Sequence, residues 1–507
     1  MKIEPPSKMV RVASIEERYQ SYNIEMLEIT GGMFWKPYGS VSRSRPSESP
    51  DRSGVPAGMD SELYEYRPPV DLSNSKLRKL RKLASALGPA YVRVSGTWAN
   101  TTYFADADPP PSSPPSGFSG VLSRERWKGV VDFAAATGAR IVTSMSISPG
   151  VRDASGVWTP GQARRLLDYT RSVGGDIAAS EFMNEPTMAT MGGAPKGYDA
   201  MAFGRDFKLF ASFARQAAPG MRILSPGSVG ETTASDAMIH YGAQGAIATA
   251  DILQQMGQDI DAFSYHHYGA ASQRCAATPG MPQTTADAAL SEEWLARTDQ
   301  TLAFYRNLRD RFEPGKPMWV TETADAACGG NPWASTFLDT FRYLDQLGRL
   351  ARQGVQVVMH NTLAASDYGL LDETTLTPRP NYWAALLWRK LMGTTVLDSG
   401  VEIAEGRHVY AHCLRGVPEG VTLLVINNSG TSTIIEMPLE SKRYTLSAEP
   451  RRSSEVKLNG TVLKLDDSGD LPAIEGLATA AGSVSFAPGT ITFLAIEQAG
   501  NSACRAS

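Results

Sequence analysis

From about residue 20 to residue 390, short apolar runs alternate with amphipathic stretches. The runs include Tyr91 to Val94, Ala139 to Met145, Met221 to Ser225, Asp261 to His266, Met318 to Thr321 and Val355 to His360. Between them, Ser123 to Thr137, Thr159 to Val173, Tyr198 to Ala218 and Ser291 to Phe312 place apolar residues at helical spacing. Near-continuous apolar strands that alternate with helices predict a parallel sheet buried under those helices. The length and repeat count fit a closed eightfold barrel better than an open sheet.

After about Thr394 the pattern shortens. Val401 to Ile403, His408 to Cys413, Val421 to Ile426, Thr433 to Met437, Val462 to Leu465, Ser483 to Phe486 and Ile491 to Ile496 are separated by Asn-Ser-Gly and Pro-Gly turns. This texture predicts a β-sandwich of about 110 residues. The expected fold class is therefore α/β, a (β/α)8 TIM barrel over residues 20–392 with a C-terminal β-sandwich. Residues 1–19, with a strand over Met9 to Ile15, are expected to join residues 393–507 in that sandwich.

Composition narrows the function classes. Of 507 residues, 42% are hydrophobic and the net charge is −4, so a packed core is expected and a disordered chain is excluded. A mildly acidic balance argues against a general nucleic-acid binder. No run of about 18 apolar residues is present, so no membrane span is expected. The stretch Met1 to Lys8 has no apolar h-region and does not read as a secretory signal. Cys275, Cys328, Cys413 and Cys504 lie far apart with no CxxC, which disfavours structural zinc. As a count, four cysteines fit two disulfides or four buried thiols equally.

Reactive side chains of such barrels emerge at the C-terminal ends of strands. Two expected strand ends carry a carboxylate, in Glu181-Phe182-Met183-Asn184-Glu185-Pro186 and in Trp319-Val320-Thr321-Glu322-Thr323. An isolated Asn-Glu-Pro also describes a plain turn. Two carboxylates across one barrel mouth, however, are the equipment of glycosidic bond cleavage: one protonates the leaving oxygen, and the other attacks the anomeric carbon or activates water. Asn184 is placed to donate to a sugar hydroxyl. Ser264 to Gly269 lies between the two acids, and its adjacent His266 and His267 must point to opposite faces of a strand, which excludes a simple two-histidine metal site. One is expected in the core and the other on the surface. The carboxylate pair needs no metal and no cofactor. The Pro/Ser-rich Pro109 to Gly117 and the loop-like Arg43 to Gly58 are long insertions that read as lids or as surface loops.

The stretch from Trp319 to about Leu391 resembles glycoside hydrolase family 79, the heparanase-like β-glucuronidases. It contains Thr321-Glu322-Thr323, Cys328-Gly329-Gly330-Asn331-Pro332, Asp367-Tyr368-Gly369-Leu370-Leu371-Asp372 and Pro380-Asn381-Tyr382-Trp383. Gly88 to Arg93, Asn184-Glu185-Pro186 and His266-His267-Tyr268 are similar again, and so is a closing sandwich with a Cys near the terminus.

The resemblance implies retaining cleavage of β-D-glucuronide linkages by double displacement, with Glu185 as acid/base and Glu322 as nucleophile. Retention requires carboxylates roughly 5 to 5.5 Å apart, and Glu185 should have a raised pKa. It also implies that His266 and Tyr268 flank the nucleophile, and that Gly329, Gly330 and Tyr368 grip the uronate carboxylate. In strand two, Val94 to Asn100 keeps the family's Gly96-Thr97 pair, which makes Thr97 and Asn100 candidate substrate contacts. Strand one is read at Glu28 to Trp35, where no equivalents of the family's hydroxyl-binding residues can be placed. The gap of 137 residues between the two acids exceeds the family norm. Cys413 and Cys504 match the family's sandwich-stapling pair, and a second bridge between Cys275 and Cys328 is expected to fasten two active-site loops.

Two disulfides would place the protein in the periplasm or outside the cell. The expected partner is a glucuronic-acid-containing glycan or glycoside, with the chain acting as a monomer and with no nucleic acid or membrane involved. Endo and exo action are both open. The one dense basic run, Lys76 to Leu83, has Leu residues at helical spacing and reads as an outer barrel helix with a solvated face, which weakens the case for a heavily sulfated polymer. Competing readings are a retaining β-glycosidase for a neutral sugar and a catalytically inactive carbohydrate-binding protein.

Overall fold

In the computed structural model, residues 1–39, 55–56, 59, 61–72, 77–234, 245–277 and 281–505 are described. Arg43 to Gly58 therefore lies outside them except for residues 55 and 56. Eight parallel strands close a barrel in sequence order. Strands one to four are Gln20–Glu25, Tyr91–Ser95, Arg140–Ser144 and Ile177–Glu181. Strands five to eight are Arg222–Ser228, Ala262–Tyr268, Met318–Ala324 and Val357–His360. The outer layer includes helices Arg78–Ala86, Arg124–Thr137, Gly161–Ser172, Ala200–Ala217, Arg297–Phe312, Phe337–Arg352 and Pro380–Leu391.

Period-two alternation divides each strand between two environments. On strand six, Tyr265 points outward to stack on Tyr305 and His267 meets Thr301 of the same helix. Ser264, His266 and Tyr268 take the opposite direction, into the barrel. Tyr91, Val142, Ala179, Leu224, Trp319 and Val357 fill the lower interior as one apolar cluster. The upper interior is left to polar groups. His266 and His267 do point apart, but both are buried, so the expectation of a surface histidine is corrected. Residue 267 is covered by the helix that follows its own strand.

Arg11–Ser14 pairs antiparallel with Met392–Leu397, at the edge of a nine-stranded sheet that continues through His408–Leu414, Val421–Asn427, Thr490–Ile496 and Ser441–Ser447. A two-stranded ribbon, Thr433–Met437 with Gly482–Phe486, covers one face through Ile435, Met437, Val484 and Phe486. Tyr410, Leu424 and Phe493 on the other face join the large core that the barrel helices share. At that junction His408 Nδ1 pairs with Asp345 of helix Phe337–Arg352 at 2.6 Å, and its Nε2 lies 3.2 Å from Glu292.

Several sequence expectations are corrected. Val401 to Ile403 is not a strand, because Met392–Leu397 occupies that edge. Only Val462 of Val462 to Leu465 is extended into a ladder, in a two-residue strand with Thr461. Strand one is Gln20–Glu25, whereas Glu28 to Trp35 forms the end of a short helix and one arm of a hairpin with Tyr64–Arg67. The basic run does become an outer helix, Arg78–Ala86, with Leu80 and Leu83 buried. Pro109 to Gly117 is mostly exposed, and its end packs against the backbone of Gly150. Both disulfides are present, Cys275–Cys328 and Cys413–Cys504.

Candidate active site

A β-bulge on strand seven builds the centre of the site. Tyr265 of strand six pairs with Val320 but His266 pairs with Glu322, so strand seven has one residue more than its neighbour at Thr321. Such an insertion re-aims side chains, here turning both Thr321 and Glu322 into the barrel. Thr321 donates to Glu181 Oε1 at 2.7 Å, and Glu322 receives Tyr268 OH at 2.5 Å and Arg93 Nη1 at 2.9 Å. Thr323 then returns outward, to Gln346.

Glu185 follows strand four on a residue with φ 49°, in the left-handed region that a non-glycine side chain seldom occupies. Asn100 holds this turn: its Nδ2 donates to the Asn184 carbonyl and its Oδ1 accepts from the Asn184 N–H, at 2.9 and 2.8 Å. Asn100 is fully buried behind the cleft wall. Its amide is thus taken up by the turn. Asn184 is also buried and accepts from Arg93 at 2.7 Å.

Arg93 of strand two is the hub. Its Nε and Nη2 donate to Glu181 Oε2 at 3.2 and 2.9 Å, while Nη2 also reaches His266 Nε2 at 3.3 Å. An arginine only donates, so Nε2 of His266 is the acceptor and its proton sits on Nδ1. That Nδ1–H faces Glu185 Oε1 at 3.0 Å and Glu322 Oε2 at 3.8 Å.

One ligand atom each of Glu185, His266 and Glu322 lie within 4.8 Å of one another. Metal sites share such spacing, but here the Arg93 guanidinium already faces Glu322 and the far nitrogen of His266.

Burial raises the Glu185 carboxyl above its ordinary value, and the Glu322 charge adds to this against the bond from His266. Burial pushes Glu181 up as well, yet Arg93, His266 and Thr321 together bring it below the ordinary value. Two acids of one small chamber are therefore shifted in opposite directions, Glu185 up and Glu181 down.

Glu25, Arg93, Glu181 and Asn361 were not foreseen as site residues. Glu25 ends strand one and faces the cleft, where burial and then the Glu322 charge raise its carboxyl well above the usual range. Its Oε1 accepts from Asn361 Nδ2 at 3.1 Å, and its buried Oε2 has no hydrogen-bond partner among the described residues. Gly96, at φ 94°, makes room for it: a Cβ there would lie 1.7 Å from Oε2. Asn361 Nδ2 also approaches the hydroxyls of Tyr268 and Tyr368, at 3.1 and 3.0 Å.

Glu25, Glu185, Tyr268, Glu322, Cys328, Tyr368 and Thr97 line one cavity of about 90 Å³. Trp35, stacked on Tyr64 with centroids 4.5 Å apart, and Trp98 supply its aromatic wall. Gly329 and Gly330 lie directly behind Cys328, and a Cβ on Gly330 would touch the Tyr368 ring at 3.1 Å. Of the expected site residues, Glu185, Glu322, Tyr268, Tyr368 and Thr97 line this cavity, whereas Asn184, His266, Gly329, Gly330 and Asn100 do not.

A parallel barrel with paired carboxylates at its mouth defines a glycoside hydrolase. Residues 111–348 match the glycosyl hydrolase family 79 N-terminal domain, and the chain is similar to heparanase-like proteins. It is 26% identical to heparanase of Mus musculus over 94% of this chain and the whole of that protein. It is 36% identical to baicalin-beta-D-glucuronidase of Scutellaria baicalensis over 31% of each chain. A 4-O-α-L-rhamnosyl-β-D-glucuronidase from Fusarium oxysporum 12S superposes with a TM-score of 0.60 at 12% identity, covering 98% of this chain and all of that one. At that identity the likeness is one of fold.

Proposed function

We infer that this glycoside hydrolase is a heparanase-like β-glucuronidase that retains anomeric configuration. The observation that carries the reading is the carboxylate pair: oxygens of Glu185 and Glu322 lie within 4.8 Å, matching the roughly 5 to 5.5 Å class rather than the 6.5 to 9.5 Å of inverting enzymes. Glu322 is the nucleophile. Arg93 and Tyr268 each bond one of its oxygens and orient it toward the anomeric carbon. Glu185 is the acid. With His266 Nδ1–H on its Oε1, the proton sits on Oε2 and passes to the glycosidic oxygen as that bond breaks and the Glu322–sugar ester forms. Water then attacks the ester, Glu185 takes its proton, and Glu322 leaves as carboxylate.

The choice of a glucuronate is supported by the names of the relatives and by Cys328-Gly329-Gly330 with Tyr368 at one end of the cavity. Backbone amides and a tyrosine hydroxyl hold a carboxylate without a facing cation. Asn184, Thr97, His266 and Tyr268 complete the substrate-side set. The basic helix is a poor guide for polysulfated chains, because Lys82 pairs with Asp470 and Lys79 donates to Thr375. Unsulfated or lightly sulfated glucuronides suit this charge balance better.

We further propose a catalytic barrel of 20–392 and a second domain of 1–19 plus 393–507. Two disulfides support a secreted or periplasmic location.

The test compares 4-nitrophenyl β-D-glucuronide with the matching β-D-glucoside, using wild type and Glu322→Gln. Preference for the glucuronide, lost on substitution, is expected; a preferred glucoside returns the reading to a neutral-sugar glycosidase. Product sizes from glucuronate-containing oligosaccharides separate endo from exo cleavage.

A further inference from the structure

Arg274 lies beneath the loop that follows strand seven. It sits in the turn Gln273–Cys275 after strand six, and its side chain is only 6% exposed. Its Nη1 donates to the carbonyls of Cys328 and Gly330, at 2.6 and 3.3 Å. Its Nη2 donates to Asp367 at 2.5 Å. The guanidinium lies 4.1 Å from the Tyr38 ring centroid, and the Arg274 N–H donates to the Tyr38 hydroxyl at 3.2 Å. The neighbouring Cys275 is bonded covalently to Cys328.

From the other side, the Gly329 carbonyl accepts from Ser366 Oγ and from the Asp367 N–H, at 2.9 and 3.2 Å. All three carbonyls of Cys328-Gly329-Gly330 are therefore engaged, in a segment with φ of 63°, 78° and 86°. In a trans peptide the N–H points opposite the carbonyl that precedes it. Anchoring the Cys328 and Gly329 carbonyls thus directs the N–H groups of Gly329 and Gly330 the other way, and neither donates to a partner among the described residues. Gly329 is also required sterically, since a Cβ there would lie 2.4 Å from Arg274 Nη1.

We propose that Arg274 is a positioning residue for substrate specificity: by fixing the carbonyl of Cys328, and that of Gly330 at the far end of the turn, it presents the Gly329 amide, beside that of Gly330, to a substrate carboxylate. The inference rests on the reading of this loop and Tyr368 as the carboxylate end of the site. A planar guanidinium can serve two carbonyls, one carboxylate and one ring face at once; an ammonium cannot. Asp367 balances its charge, so a sugar without a carboxylate gains nothing from the arrangement.

The test uses the full chain with both disulfides intact, as wild type, R274M and R274K. In R274M, kcat/KM for 4-nitrophenyl β-D-glucuronide should fall about 10- to 100-fold, mainly through KM, the scale of one charge-assisted hydrogen bond. The matching β-D-glucoside should change less than about 3-fold and the pH profile should keep its shape, because the Glu185 and Glu322 contacts are untouched. R274K keeps the charge but not the fork, and is expected to raise the glucuronide KM as well; it also serves where R274M fails to fold. Parallel losses on both substrates, or an unchanged glucuronide KM in R274K, overturn the inference. A wild type without preference for the glucuronide instead overturns the functional reading beneath it.

Discussion

Arg93 Nη1 donates to Glu322 Oε2 at 2.9 Å, joining two buried side chains from strands two and seven across the barrel interior. The same guanidinium also neutralises Glu181, so three buried charges and the neighbouring His266 form one unit. Removing the cation strands two carboxylates away from water. Arg93→Met is expected to cost about 3 to 5 kcal/mol of stability, the scale of a broken buried ion pair. It should also lower kcat by about 100-fold or more, as expected when a preorganised electrostatic partner is lost. Thermal unfolding and glucuronide kinetics measure both. Arg93→Lys, which keeps the charge without the fork, should fall between.

Burial, and then the Glu322 charge, raise the Glu25 carboxyl well above its ordinary value. Its folded pKa is raised, so above the ordinary value near 4.5 the unfolded chain releases a proton that the folded chain retains. Stability must therefore fall as pH climbs past that value. Glu25→Gln mimics the protonated form and removes the penalty. Its Tm should exceed that of wild type at pH 8, with the difference closing near pH 4. Equal Tm values at pH 8 would show that Glu25 is ionised.

His408 ties the antiparallel sheet to a barrel helix. Burial alone would lower it, but Asp345 and Glu292 raise it from 6.5 to about 9. A raised histidine stabilises fully below its unfolded pKa, and that contribution is lost as pH rises through the folded value. The window is thus about pH 6.5 to 9, with an upper bound on the order of 3 kcal/mol. His408→Gln should be less stable than wild type at pH 6 and should show a flatter Tm profile from there to pH 9.

The Cys413–Cys504 bridge closes a long loop, with a sequence separation of 91. Replacing both cysteines by alanine should cost about 2 to 5 kcal/mol. Free-thiol titration of the denatured, unreduced wild type should find none; two or more thiols would remove a bridge from the account.

The sequence made some of this site legible and hid the rest for physical reasons. Glu185 and Glu322 stood out because each ends an apolar run, one beside Asn-Pro context and one beside threonines. Arg93 lay in plain view within Tyr91 to Val94, a charged residue in a strand expected to be buried on both faces. That mismatch was the available signal, and Glu181, four residues before Glu185, was its partner. Glu25 was missed because strand one, Gln20–Glu25, is polar at Gln20, Ser21 and Asn23 as well, and Ser21 and Asn23 face the barrel interior, where they bond to Tyr91 N–H and the Thr321 carbonyl. Such a strand has no apolar run to mark it. The bulge at Thr321 was invisible, since two inward residues in a row break the period that sequence reading relies on. Ser441–Ser447 escaped for a similar reason: Lys442 and Arg443 interrupt its apolar positions, although Tyr444 and Leu446 alternate onto the core.

The central claim is that Glu322 forms a covalent glucuronyl ester. Incubation with an activated 2-deoxy-2-fluoro-β-D-glucuronide, followed by peptide mass spectrometry, tests it most directly. The account predicts a single fluoroglucuronyl adduct on Glu322, absent from Glu322→Gln. An adduct on another residue, or turnover of the glucuronide with inverted product and no adduct, would contradict it.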